Sequence, residues 1–181
     1  MEYARNTVEQ YKSITDKVFE LFLKKQKDYG LSWRILRKQS MTDQIFIKAK
    51  RLRTIEEKGS QEISDSIEGE YYGIINYSIM AMINIRHDHK EELTEEEIST
   101  YYKEIQKEVF ELMQKKNSDY GEAWRDMKIS TMSDLILQNL LRLRAIEDKE
   151  ELLASEGDES KYTDMINYSI FALILLEEKR V

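Results

Sequence analysis

The sequence predicts an all-α protein, a tandem duplication of one three-long-helix unit packed as a pseudo-two-fold symmetric bundle. Three observations carry this. The chain contains no proline, and the period-two alternation of a half-buried strand never persists, so its periodic segments read as long uninterrupted helices. Adding 91 to any position from Tyr11 to Ile83 gives its counterpart from Tyr102 to Ile174 without a gap, and roughly 30 to 35 of these pairs are identical, which is the signature of duplication. Finally, a unit of about 90 residues has only a small core of its own, while its most apolar helix needs cover on every side. The expected units are residues 1–90 and 91–181, packed as one body with the helices of Asn76 and Asn167 at its centre.

The first helix is expected from about Thr7 to Asp28, where Val8, Tyr11, Thr15, Val18 and Phe22 recur on one face. Gly30 stands where a left-handed cap would end it, since that conformation costs glycine no Cβ clash. Trp33 follows on a short helical turn that its ring would pin to the core. The second helix is expected from about Thr42 to Lys58, capped by Thr42 or Ser40, burying Ile45, Ala49 and Leu52 and stopped by the loop at Gly59 and Ser60.

The third helix, from about Asp65 to Arg86, holds an apolar run at residues 74–83 and should be the most buried element of the repeat. Asn76 lies inside that run and needs specific partners, because an unsatisfied buried amide costs about 1–3 kcal/mol. Residues 87–92 form a polar linker, whose two histidines lack the further ligands a good metal site requires. Thr94 and Glu97 then make a capping box that opens the second repeat. Its first helix carries Ile98, Tyr102, Ile105, Val109, Leu112 and Lys116 along one stripe. The later helices are expected from about Ser133 to Lys149 and from about Glu159 to Glu178.

Composition narrows the function classes. Without cysteine there is no disulfide or thiolate metal site, and His87 and His89 alone are poor material for zinc or a histidine-based triad. A formal charge of −7 with no long Lys/Arg block repels a nucleic-acid polymer. A small phosphorylated ligand carried with a divalent cation stays open, because the cation supplies the positive charge the chain lacks. The start of the sequence reads as an amphipathic helix and no run approaches a bilayer span, so the expectation is a cytoplasmic protein that meets no membrane.

Differences between the copies locate candidate site residues. Asp28/Asp119, Arg34/Arg125, Asp43/Asp134, Arg51/Arg142, Arg53/Arg144, Glu68/Glu159 and Asn76/Asn167 are retained, whereas Gly73 becomes Asp164 and Lys17 becomes Glu108, so that Glu108 and Glu111, one turn apart, face Lys17 and Glu20 of the first copy. A glycine inside a helix costs about 1 kcal/mol relative to alanine, so Gly73 points to a close approach by a backbone or a ligand. Asp164 lies one turn from Asn167 on the most apolar helix and needs a cation, an arginine or several donors there. On a functional reading, Glu108, Glu111, Glu159 and Asp164 converge on Mg²⁺, while Arg125, Arg142 and Lys48 or Arg51 meet phosphate oxygens. Asp119, Tyr120, Trp124 and Asn167 complete the candidate nucleotide contacts. On a structural reading, Arg142 pairs with Asp164 or Asp134 and the first-helix glutamates are a solvated face. Glu111, about 160° from the centre of its apolar stripe, fits that second reading better.

The string from Lys116 to Arg125, Lys-Asn-Ser-Asp-Tyr-Gly-Glu-Ala-Trp-Arg, followed by Asp134, by Arg142-Leu143-Arg144 and by Asp164-Met165-Ile166-Asn167-Tyr168, resembles the nucleotide modification associated domain, type one. The likeness covers both repeats and implies a part in nucleotide modification or metabolism. The acidic helices are also similar to those of the all-α nucleotide pyrophosphatases of the MazG type, in which Glu-x-x-Glu and Glu-x-x-Asp pairs hold Mg²⁺ over a triphosphate. Glu108 and Glu111 match the first pair, while Lys161 stands where the second requires a glutamate. The expectation is therefore a nucleotide-binding protein with Mg²⁺ as cofactor and its site in the cleft between the repeats, self-association beyond the internal pseudo-dimer being left open. If it is an enzyme, it is a Mg²⁺-dependent nucleotide phosphohydrolase or a nucleotide-modifying accessory enzyme. The alternative is a non-enzymatic helical scaffold or partner-binding module, in which Asp-Tyr-Gly…Trp-Arg is a structural corner.

Overall fold

Among the described residues there are six α-helices and two short 3-10 turns, three helices and one turn in the same order in each half of the chain. The computed structural model describes residues 2–147 and 157–179, with the side chains from residue 6 onward. In the first repeat these are α1 (Glu2–Tyr29), a turn at Ser32–Ile35, α2 (Lys38–Lys58) and α3 (Ile67–Arg86). In the second they are α4 (Glu95–Tyr120), a turn at Ala123–Asp126, α5 (Ile129–Glu147) and α6 (Asp158–Glu178). No strand occurs among the described residues, and none of their helices is long and apolar enough to cross a membrane.

The local signals account for most of the boundaries. Gly30 and Gly121 take the left-handed conformation, with φ of 61° and 60°, that closes α1 and α4. Ser66 caps α3 by accepting from the amide of Gly69 at 3.0 Å, and Thr94 with Glu97 forms the expected capping box at α4. Helix α2, however, starts at Lys38 rather than Thr42, with Arg37 in the cap position and no side-chain cap. Thr42 lies a turn inside, where its hydroxyl bonds the Lys38 carbonyl at 3.0 Å and meets the Tyr162 hydroxyl at 3.1 Å. A partner in the other repeat, rather than its own helix terminus, uses this threonine. Helix α5 likewise begins at Ile129 rather than Ser133, and its expected end at Lys149 lies outside the described residues. On α1 the buried face runs through Thr7, Tyr11, Ile14, Val18 and Phe22, so Val8 and Thr15 lie off it. On α4, Met113 rather than Leu112 or Lys116 continues the stripe inward.

Helices α3 and α6 pack against each other at the centre, with α2 on α3, α5 on α6, and α2 and α5 in mutual contact. Each first helix leans chiefly on the other repeat, α1 on α6 and α4 on α3. The crossing is locked by a matched pair of polar contacts. The Tyr11 hydroxyl donates to Asn167 Oδ1 at 2.8 Å, and the Tyr102 hydroxyl donates to Asn76 Oδ1 at 2.7 Å. The same asparagines donate to the carbonyls of Val109 and Val18 at 3.5 and 3.4 Å. Burial holds both tyrosine hydroxyls far above their ordinary pKa, so they stay neutral donors. Gln106 Nε2 donates to the carbonyl of its own counterpart, Thr15, at 3.1 Å, which marks where the pseudo-two-fold axis passes between α1 and α4.

Candidate functional site

The space beside the tryptophan is open in the first copy of the Asp-Tyr-Gly…Trp corner and filled in the second. Where α1 ends, a pocket of about 170 Å³ opens between α1, the 3-10 turn and α3. Phe22, Tyr29, Trp33 and Tyr77 wall it, Lys25 and Gln26 reach it from α1, and Gly73, Asn76 and Met80 line its α3 side. Trp33 meets Phe22 edge-on at 6.4 Å, and no aromatic ring stacks on it among the described residues. Gln26 is only 7% exposed, yet its Oε1 has no hydrogen-bond partner, and neither does Trp33 Nε1. Both atoms are closed off from solvent behind the pocket lining, and leaving such an atom dry costs about 1–3 kcal/mol.

In the second repeat the equivalent space is taken. Phe171 replaces Met80 and stacks on Trp124 at 4.3 Å with the ring planes 5° apart. The guanidinium of Arg125 covers Trp124 as well, 4.5 Å from the ring centre. Asp164 replaces Gly73 and pairs with Lys116 at 3.0 Å. Asn117 replaces Gln26 and donates to Met113 Sδ at 3.1 Å and to Glu122 at 3.4 Å. Trp124 Nε1 is unpaired like that of Trp33, so the unpaired glutamine is what sets the first pocket apart. Two further hollows, one of about 270 Å³ beside Asn117 and one of about 250 Å³ beside Lys38 and His89, have neither an aromatic wall nor an unpaired buried polar atom. Tyr71, Ser78 and Asn139 also have such atoms, but they line none of these hollows.

The four candidate metal ligands are distributed as follows. Glu108 and Glu159 meet, but on Arg86, which donates to Glu108 at 2.6 and 3.0 Å and to Glu159 at 2.8 Å. Those hydrogen bonds are the main reason that the Glu108 carboxyl is held below its usual range and the Arg86 guanidinium above its own. Glu111 is on the solvent side, 4.0 Å from Lys107, and Asp164 answers Lys116. No group of three or more Asp, Glu or His able to hold a cation occurs among the described residues. Four carboxylates that each face a lysine or arginine do not fit a Mg²⁺ cage. The acidic bias of α4 has a simpler origin. Glu108 pairs with Arg86 where the counterpart Lys17 pairs with Glu177 at 3.2 Å, so one cross-helix ion pair has exchanged signs between the repeats.

Among the candidate nucleotide contacts, Lys48 and Arg51 both face Glu70, at 3.8 and 2.9 Å. Arg51 also donates to the carbonyl of Asp65 at 2.9 Å, tying down the loop before α3. At Gly73 the close neighbour is not the expected backbone or ligand but the Lys48 side chain, since a Cβ there would lie 2.5 Å from Lys48 Cε. Asp119, Tyr120 and Arg142 are exposed, and Arg142 pairs with neither Asp164 nor Asp134, which take Lys116 and Arg53 instead. Trp124 is buried under Phe171, and Asn167 is bonded to Tyr11. Arg125 donates to Thr7, to Gln10 at 2.9 Å and to Glu178 at 2.7 Å. Its counterpart Arg34 donates to Asn84 and to the carbonyls of His87, Asp88 and Glu91 at 3.0, 2.7 and 3.0 Å. The retained arginine of the motif is thus a clamp, holding the inter-repeat linker in one half and the start of α1 in the other.

Sequence reasoning placed its contacts on Lys48 and Arg51 and on the second copy of the motif, whereas the open pocket is lined by Phe22, Lys25, Gln26 and Trp33 of the first. The available signal was the pair of replacements Gly73/Asp164 and Met80/Phe171, small or flexible side chains against larger ones two turns apart on the same helix. The sequence profile of the family described as nucleotide modification associated domain 1 matches residues 25–85 and again residues 116–176, together more than half of the chain. No curated protein and no solved structure matches it. The first match begins at Lys25, on the pocket rim, and the second at the equivalent Lys116, so both hold the corner, the second helix and the central helix of their repeat. The chain belongs to the nucleotide modification associated domain 1 family and carries its domain twice in tandem.

Proposed function

We propose that this protein binds a nucleotide in the aromatic pocket of its first repeat. The observation that carries this reading is the open pocket at the first corner, walled by Phe22, Tyr29, Trp33 and Tyr77 with the nine-tenths buried Gln26 beside them. Flat rings stack on such walls with about 1–3 kcal/mol per base. The family's association with nucleotide modification supports the same ligand class. The reading is one of binding. A hydrolytic step served by protein-held Mg²⁺ finds no cage among Glu108, Glu111, Glu159 and Asp164, so Mg²⁺ would arrive with the ligand's own phosphates. For the second repeat the structural alternative is favoured, because the Phe171–Trp124 stack fills the same space.

The test is a thermal-shift screen of the full chain against nucleotides, with and without Mg²⁺, beside the Gln26→Leu variant. A ligand at about 100 times its dissociation constant stabilises the fold by roughly 2.7 kcal/mol, readily visible as a raised Tm. The expected result is a shift for at least one nucleotide that Gln26→Leu abolishes. A shift that survives in Gln26→Leu would move the site elsewhere.

A further inference from the structure

Granted that nucleotide site, we propose that it reads the base and leaves the phosphate chain in solvent, so its ligand class is any compound bearing the right base, whether nucleoside, monophosphate or triphosphate. The inference rests on what the pocket can and cannot bond. Gln26 lines the pocket with its Oε1 unpaired but closed off from solvent, so a ligand meets that acceptor once the side chain turns toward the cavity, and it must then offer N–H or O–H, which phosphate oxygens at neutral pH do not. A flat ring with a donor on its edge, for aromatic walls such as Phe22, Trp33 and Tyr77, is what a nucleobase presents.

Size and charge point the same way. Pockets that enclose a drug-sized ligand measure roughly 300–1,000 Å³, whereas this one holds about 170 Å³, room for a ring system with the sugar at the mouth. Lys25 is the only cation among the lining residues, and it is exposed, so solvent and salt screen it. Lys48, which packs against Gly73, is shared with Glu70 and lies over the Tyr77 ring, 5.9 Å from its centre. Arg34 of the same corner is committed to the linker carbonyls. The amide of Gly30, where a phosphate cradle would form, already donates to the Gln26 carbonyl at 2.7 Å. One screened lysine is worth about fivefold in affinity or less.

The experiment is titration calorimetry on the full chain with four common nucleosides and their 5′-mono- and 5′-triphosphates, with inorganic triphosphate as the phosphate-only probe. For the preferred base, the three forms should bind within about tenfold of one another, with or without Mg²⁺, and inorganic triphosphate should give no heat. Gln26→Leu should weaken all three forms by more than tenfold. Gly73→Asp combined with Met80→Phe, which imports the plug of the second repeat, should abolish binding even where Gln26→Leu cannot be purified folded. A triphosphate preferred by more than tenfold, or binding of inorganic triphosphate, would overturn this inference and leave the nucleotide site standing. Silence from every base-bearing compound would overturn both.

Discussion

At the scale of single residues, the buried Tyr–Asn pairs carry the greatest consequence. Removing the Tyr102 hydroxyl strands Asn76 Oδ1 in the interior, and removing that of Tyr11 strands Asn167 Oδ1. Tyr102→Phe and Tyr11→Phe should therefore each lower stability by about 1–3 kcal/mol, read from the midpoint of urea unfolding. Tyr102→Phe with Asn76→Leu should recover part of that loss, because an apolar pair leaves no stranded acceptor. Asp164 behaves differently from what its place on the most apolar helix suggests. Its carboxylate is still 25% exposed beside Lys116, so Asp164→Asn should cost less than about 1 kcal/mol rather than the 3–5 of a broken buried pair. Glu108 gives a signed pH effect. Arg86 lowers its pKa on folding, so the contribution is present above the ordinary glutamate value of about 4.3 and is lost as pH falls through the lower, folded value. In Glu108→Gln the acid side of the stability profile should be shallower than in wild type. The loss at neutral pH should stay under about 1 kcal/mol, since half of this side chain is in solvent. Coincident pH profiles would show that the Arg86 contact does not shift Glu108.

At the scale of elements, two kinds of glycine are told apart by their surroundings. Gly30 closes α1 at φ 61° with nothing within 4 Å of a built Cβ, so Gly30→Ala meets only backbone strain, about 1–2 kcal/mol, and should lower the Tm. Gly73 has ordinary helical geometry, and its Cβ would meet the flexible end of Lys48. Moving a lysine tip is cheap, and alanine gains about 1 kcal/mol of helix propensity over glycine. Gly73→Ala should leave the Tm unchanged or raise it, and a fall as large as that of Gly30→Ala would mean Lys48 cannot yield.

At the scale of the whole molecule, each first helix is completed by the other repeat. Tyr11 has its acceptor on α6 and Tyr102 has its acceptor on α3, while Arg144 and Arg53 reach across to Asp43 and Asp134 at 3.1 and 3.8 Å. A fragment of residues 1–90 should consequently not fold as a monomer. It should either stay unfolded or form a two-fold dimer in which Tyr11 of each copy meets Asn76 of the other. Light scattering with circular dichroism separates these states, and a folded monomer would contradict the interlock. The intact chain should bind one ligand per molecule in calorimetry, because the space beside the tryptophan is open in the first repeat and filled by Phe171 in the second.

What the sequence by itself determined is what local chemistry and repetition encode. The helices follow from apolar periodicity and the absence of proline, their ends from Gly30, Gly59, Gly121 and the Thr94–Glu97 box, and the duplication from the constant offset. The burial of Asn76 was legible because an amide inside an apolar run has to be satisfied. Tertiary structure alone decided who satisfies it. Tyr102 lies 26 residues away, in the other repeat, and no helical period links the two. The same holds for the start of α2, where Thr42 was given to Tyr162 instead of the helix terminus, and for the acids of α4. Spacing along one helix showed Glu108 and Glu111 as neighbours, but it could not show that Arg86 would take Glu108 and Glu159 together. The site differs for the same reason. Both copies of the corner carry Asp-Tyr-Gly and Trp-Arg, and whether the space beside the tryptophan is open depends on volumes contributed by a helix some forty residues further on. Met80 leaves that space and Phe171 fills it, a difference of packing in three dimensions that a one-dimensional motif does not contain.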